Sequence, residues 1–200
     1  MIKINHNKKI LLVTGGTGGH IYPALSVFKH LKNNSCKVGI MTDKRGFNDK
    51  NLNFHKPYLI NVKGYTGKNI FDKIYSLILV LISTIKSILY LRKENINLII
   101  GFGSYVQVPV LLAAKILRID FILHEANAVL GKANKLFWSF AKVRTSFQQL
   151  NLSDFKSIQL GMPVRPEIEK LYKNKYKQPN KNSKITILIL GGSLGAEALS

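Results

Sequence analysis

The feature that most constrains this chain is the glycine run Val13-Thr14-Gly15-Gly16-Thr17-Gly18-Gly19-His20, set between an apolar stretch, Lys9 to Thr14, and an amphipathic one, Ile21 to Leu31. Glycine lets a backbone turn tightly and approach a ligand closely, and a helix that follows offers unpaired N–H groups at the positive end of its dipole. Strand, glycine turn and helix in that order open a βα unit able to hold an anion, and the same turn can also stand with nothing bound. A second copy, Gly191-Gly192-Ser193-Leu194-Gly195-Ala196, again follows an apolar stretch, Ile185 to Leu190.

The segments between them alternate in the same way. Val38 to Thr42, Tyr58 to Val62, Asn97 to Ile100, Asp120 to Leu123, Val143 to Phe147 and Ser157 to Leu160 read as strands. Helices are expected over Ile74 to Leu91, from Pro109 through Leu117, and from Gly131 to Ala141. Continuously apolar strands alternating with helices predict an α/β fold, a doubly wound parallel sheet covered on both faces. Every polar or glycine cluster then falls at a strand's carboxyl end, where open parallel sheets bind ligands.

At 200 residues with 46% hydrophobic content, the chain has material for one full domain and the start of another. The expected division is a domain over 1–172, a Lys- and Asn-rich linker over 173–184, and the first strand and glycine loop of a second, truncated doubly wound domain over 185–200. The sequence thus reads as the front part of a longer protein, with little catalytic turnover expected from it alone.

A formal net charge of +20 invites an anionic partner. The lysines are spread along the chain among Asn and Ile, and no recognition motif or aromatic-basic cluster accompanies them. The expected partner is therefore an anionic lipid surface and not nucleic acid. A single cysteine, Cys36, precludes an internal disulfide and reads as a small buried side chain. No signal peptide is expected at the N-terminus. The stretch Ile74 to Leu91 places Ile74, Leu77, Ile78, Leu81, Ile82, Ile85 and Leu89 at helical spacing, broken by Ser76, Ser83, Thr84, Lys86 and Ser87. It is expected as a buried helix whose second apolar face, Tyr75, Leu79 and Val80, either packs or touches a bilayer.

Several chemistries are excluded. G-x-G-x-x-G beginning at Gly16 needs a glycine where Ile21 stands, although Asp43 occupies the place of a ribose-binding acid. No P-loop occurs, His124-Glu125 lacks the second histidine of a zinc motif, and Ser193 is not in a hydrolase elbow. No metal ligands and no cofactor are expected. What remains is His20 at a helix N-terminus, whose dipole favours the neutral imidazole that a general base needs. His20 could equally cap or pack. Glu125 could orient or share that proton, or make local hydrogen bonds only.

Thr14-Gly15-Gly16-Thr17-Gly18-Gly19-His20-Ile21-Tyr22-Pro23-Ala24-Leu25, Gly101-Phe102-Gly103-Ser104-Tyr105-Val106, His124-Glu125-Ala126-Asn127-Ala128-Val129-Leu130-Gly131, Gly161-Met162-Pro163-Val164-Arg165 and the second glycine loop occur in one order. Together they resemble the peptidoglycan N-acetylglucosaminyltransferases of glycosyltransferase family 28, which convert lipid I to lipid II. The resemblance implies an inverting transferase of GT-B fold, whose N-terminal domain takes the lipid-linked acceptor and whose C-terminal domain takes UDP-N-acetylglucosamine. It implies His20 as base, Thr17, Gly18, Gly19, Asn127, Arg165 and Ser193 as donor contacts, and a peripheral place on the cytoplasmic face of the inner membrane. Ala126 stands where the family usually has Gln, and Met162 where it has Asn.

Overall fold

The computed structural model describes residues 8–62, 69–150, 156–172 and 187. The expected linker, the second glycine loop and Ser193 lie outside the described residues, Ile187 apart. Seven strands are described: β1 (Lys9–Val13), β2 (Lys37–Thr42), β3 (Tyr58–Leu59), β4 (Ile96–Gly101), β5 (Asp120–Glu125), β6 (Val143–Ser146) and β7 (Ile158–Gln159). They form one sheet in the order β3-β2-β1-β4-β5-β6-β7, with every adjacent pair parallel. Strand order reverses between β1 and β4, which fixes the place of a ligand crevice. The doubly wound parallel sheet expected from the sequence is thus present.

Both sheet faces are apolar because successive residues of one strand serve different cores. Leu11 and Val13 of β1 pack with Ile99, Val110 and Leu111. Ile10 and Leu12 point the other way, to Ala24, Leu25 and Phe28. The helices covering these faces are α1 (Gly18–Asn33), α4 (Ile70–Lys93) and α5 (Gln107–Leu117). Pro23 is the sixth residue of α1, one turn further in than expected, so the carbonyl of Gly19 receives no helical N–H.

Single turns α2 (Lys44–Phe47) and α3 (Lys50–Asn53) follow β2 where only a loop is expected. Asp43 caps the first by accepting from Gly46 N–H, and Asp49 caps the second by accepting from Asn51 and Leu52 N–H. The segment expected as one helix from Gly131 is α6 (Lys132–Phe137) continued by a 3-10 turn, Trp138–Phe140. The short α7 (Pro166–Leu171) closes the described part.

The largest departure from expectation is α4. Its buried side chains are Ser76, Ser83, Thr84, Ser87 and Leu91, whereas Ile74, Leu77, Ile78, Leu81, Ile82, Ile85 and Leu89 are all exposed. The stripe expected in the core therefore faces out, Tyr75 is half exposed, and Leu79 and Val80 are only half buried. Small side chains let α4 lie close against its neighbours, and their hydroxyls find acceptors without leaving the helix surface. Ser83 Oγ donates to the Asn61 carbonyl at 2.6 Å, Thr84 Oγ1 to Val80 at 2.8 Å and Ser87 Oγ to Ser83 at 2.7 Å. Helix α4 is long and apolar enough to cross a membrane by length and composition.

Candidate active site

Three strand-end segments meet where the strand order reverses. The first glycine run ends β1 and opens α1, placing His20 as the third residue of that helix. The second, Gly101 to Tyr105, ends β4. Gly103 sits there at φ +89°, where a Cβ would also lie 3.1 Å from His20 Cε1. The third, Glu125 to Gly131, ends β5. Together they enclose a cavity of about 210 Å³ whose lining includes His20, Ser104, Tyr105, Glu125, Asn127 and Lys132.

His20 faces this cavity with its Nδ1 buried and without a partner among the described residues. Burial holds the imidazole below its ordinary pKa, and the charge of Glu125 and the nearby Phe102 carbonyl pull the other way. The direction agrees with the sequence expectation, and burial is its first cause, in place of the helix dipole. A neutral imidazole at neutral pH can accept a proton.

Glu125 is buried, and both its oxygens are engaged. Oε1 accepts from Asn127 N–H at 3.0 Å and from Asn127 Nδ2 at 2.8 Å. Oε2 accepts from Gly131 N–H at 2.9 Å and Asn134 Nδ2 at 2.8 Å. Of the readings open for Glu125, local hydrogen bonding is the one its geometry fits. Four donors engage this side chain, so it shapes the loop that follows β5 beside His20. Asn134 in turn accepts from Gln107 Nε2 at 2.7 Å. Neither Gln107 nor Asn134 stands out in the sequence. The only available signal is one polar residue in each otherwise apolar buried face.

Thr17 and Gly18 line a different hollow, of about 310 Å³, with Arg45, Asn48 and Asp49. Asp43, in the place of a ribose-binding acid, spends its carboxylate on Gly16 N–H at 3.2 Å, Gly46 N–H at 3.0 Å and Arg45 Nε at 3.4 Å. Both of its oxygens are thus engaged within the loops that follow β1 and β2. Gly19 is exposed at the start of α1. Arg165 is held with its guanidinium 4.8 Å from the Tyr22 ring centre, and its segment is pinned to α1 by Ser26 Oγ donating to the Val164 carbonyl at 2.6 Å. Met162 lines a surface hollow together with Val27 and Leu31. The structure thus brings His20, Glu125 and Asn127 into one cavity, with Thr17, Gly18 and Arg165 around α1.

His124, the neighbour of Glu125, turns into the sheet. Thr145 Oγ1 donates to the Leu123 carbonyl at 3.2 Å and so receives His124 Nδ1–H at 3.0 Å, leaving Nε2 buried and without a partner among the described residues. Burial lowers its pKa as well, with Glu125 opposing.

Residues 10–145 match the model of the glycosyltransferase family 28 N-terminal domain. A UDP-N-acetylglucosamine--N-acetylmuramyl-(pentapeptide) pyrophosphoryl-undecaprenol N-acetylglucosamine transferase of Acinetobacter baylyi is 33% identical over 199 residues, covering 96% of this chain and 54% of that protein. A transferase of the same name from a Sulfurihydrogenibium species is 34% identical over 197 residues, covering 96% and 56%. The crystal structure of Acinetobacter baumannii MurG superposes with a TM-score of 0.71 at 31% identity, over 96% of this chain and 55% of that one. The chain spans about half the length of these curated relatives. With its sheet order, its strand-end glycine loops and a domain match over most of its length, the chain belongs to glycosyltransferase family 28.

Proposed function

We propose that this chain is the acceptor-side half of a transferase that moves N-acetylglucosamine from UDP-N-acetylglucosamine to N-acetylmuramyl-(pentapeptide) pyrophosphoryl-undecaprenol, the lipid I to lipid II step of peptidoglycan synthesis. The observation that carries this reading is the convergence of three strand-end loops on one cavity that holds a neutral imidazole. The names of the relatives supply the two substrates.

In this reading the acceptor hydroxyl loses its proton to His20 as its oxygen bonds to the anomeric carbon of the donor. The bond from that carbon to UDP breaks on the opposite side, so configuration inverts and UDP leaves as the diphosphate. Asn127, Thr17, Gly18, Gly19, Arg165 and Ser193 are the proposed donor contacts. Arg165 suits a diphosphate because a guanidinium fork pairs with two oxygens at once. The division at 1–172, 173–184 and 185–200 belongs to the same proposal.

The proposed place of work is an anionic membrane surface on the cytoplasmic side. The outward stripe of α4, Ile74, Ile78, Leu81, Ile82 and Ile85, is the contact, with Lys86, Arg92 and Lys93 exposed on the same helix. An apolar face with a cationic margin on a chain of net charge +20 suits lipid of opposite charge.

The test is titration of the chain with a short-chain lipid I analogue, with transfer of labelled N-acetylglucosamine followed in parallel. Binding of the analogue at least about tenfold tighter than that of undecaprenyl phosphate supports the reading. Binding without turnover assigns the chain as an acceptor-binding half. Failure to bind the analogue above undecaprenyl phosphate overturns the acceptor assignment.

A further inference from the structure

Helix α5 buries Val110, Leu111, Ala113 and Ala114, yet its first residue, Gln107, is as fully buried as they are. A buried amide is costly unless its donors and acceptor are satisfied. Gln107 Oε1 accepts from Gly103 N–H at 3.0 Å, and its Nε2 donates to Asn134 Oδ1 at 2.7 Å. The sense of this chain is fixed at both ends. A backbone N–H can only donate, so the Gln107 atom facing Gly103 is oxygen. Asn134 then presents its Nδ2 to the His124 carbonyl at 3.2 Å, which can only accept, and the same nitrogen lies 2.8 Å from Glu125 Oε2.

Two glycines carry the imprint of this side chain. A Cβ on Gly101 would lie 2.5 Å from Gln107 Oε1, so the amide fits only beside glycine. Gly103, which donates to the same oxygen, is the wall against which the His20 ring rests, with a Cβ position 3.2 Å from Nδ1. The Gly-x-Gly of the β4 loop is therefore shaped around Gln107 on one side and His20 on the other. We propose that Gln107 is a positioning residue. Its amide fastens Gly103 against His20 and, through Asn134 and Glu125, holds Asn127 and Gly131, so that the two loops flanking the cavity move as one unit.

The inference rests on the proposed function only in taking His20 and Asn127 as the working groups, and its test reads geometry without substrate. In the unaltered chain, hydrogen exchange at the Gly103, Asn127 and Gly131 amides should report one shared opening, with equal opening free energies across a denaturant series. Unrelated exchange at Gly103 and Gly131 overturns the proposal, and this measurement needs no variant. In Gln107→Met, which keeps length and loses both hydrogen bonds, all three amides should exchange at least about tenfold faster relative to the β1 amides. The His20 imidazole, followed by NMR titration, should move up towards its ordinary value as water reaches the ring, with Glu125, Tyr105 and Lys132 the titratable groups around that cavity. Val110→Ala is the control, removing core packing from the same helix without touching the amide chain. It should lower stability and leave the His20 titration in place. If Gln107→Met lowers stability in the same way but leaves both the His20 titration and the relative exchange of the three amides unchanged, Gln107 is structural only. Loss of lipid I binding or of sugar transfer has no bearing on any of these readings.

Discussion

Helices α4 and α5 pack against each other on one side of the sheet, and they treat their apolar residues in opposite ways. Helix α5 buries Val110, Leu111 and Ala114 and gives solvent Lys115 and Ile116. Helix α4 buries Ser76, Ser83, Thr84 and Ser87 and gives solvent a row of isoleucines and leucines. Both have a regular apolar stripe at helical spacing. The spacing shows that one face is apolar, and it does not show which way that face points. In α5 the stripe makes the core, while in α4 hydrogen-bonded hydroxyls make the contact and the stripe is exposed.

The comparison can be broken most sharply by truncating one leucine on each helix. Leu111→Ala should lower unfolding free energy by about 2–5 kcal/mol in urea, whereas Leu81→Ala should stay within about 0.5 kcal/mol. Equal losses would place the α4 stripe in a core after all. Next in size is membrane partitioning. The combined change Ile78→Ser, Leu81→Ser, Ile82→Ser and Ile85→Ser should cut affinity for anionic vesicles by about a hundredfold, measured by sedimentation, with the urea midpoint nearly unmoved. Undiminished vesicle binding would remove α4 as the contact.

Filling the polar face of α4 tests the other half of the contrast. Ser87→Leu should destabilise by about 1–3 kcal/mol through overpacking, although leucine is the better helix former and Ser87→Leu would be harmless on a solvent face. The smallest effect concerns pH and the strand ends beside α5. Burial depresses the pKa of His20 and His124, so the unfolded chain takes up protons first as pH falls. Stability from these two groups is fully present above about pH 6.5 and declines as pH drops through their lower folded values. Replacing both, as His20→Gln with His124→Asn, should flatten the decline of the thermal midpoint between pH 7 and 5. An unchanged slope would mean that neither ring is held neutral by the fold.

The site was legible in proportion to how local its chemistry is. The glycine run, His20 and the strand-end position of Glu125 could be named from neighbours in the chain, because a strand, a turn and a helix N-terminus are made by adjacent residues. The role of Glu125 could not, since three of its four donors come from Asn127 and Gly131 across a loop and the fourth from Asn134 on α6. Asp43 is a second case. It stands where a ribose-binding acid would, in a fingerprint that the sequence breaks at Ile21, and only the fold shows that its carboxylate accepts from Gly16 N–H, Gly46 N–H and Arg45. Gln107 showed only as one polar residue in an apolar face, because its role depends on Gly103 in the β4 loop and Asn134 on α6 meeting its amide.

By itself, the sequence determined the alternation of strands and helices, the parallel sheet covered on both faces, and, among the described residues, the placing of the glycine loops after β1 and β4 at carboxyl ends. These follow from backbone sterics and from periodicity, which each short segment carries within itself. Tertiary structure alone decided which stripe of α4 faces the sheet, which carboxylates are spent on backbone amides, and how one buried glutamine ties the loop beside His20 to the loop that carries Asn127. Those are contests among groups on different segments, settled by close packing and by the need of each buried polar atom for a partner.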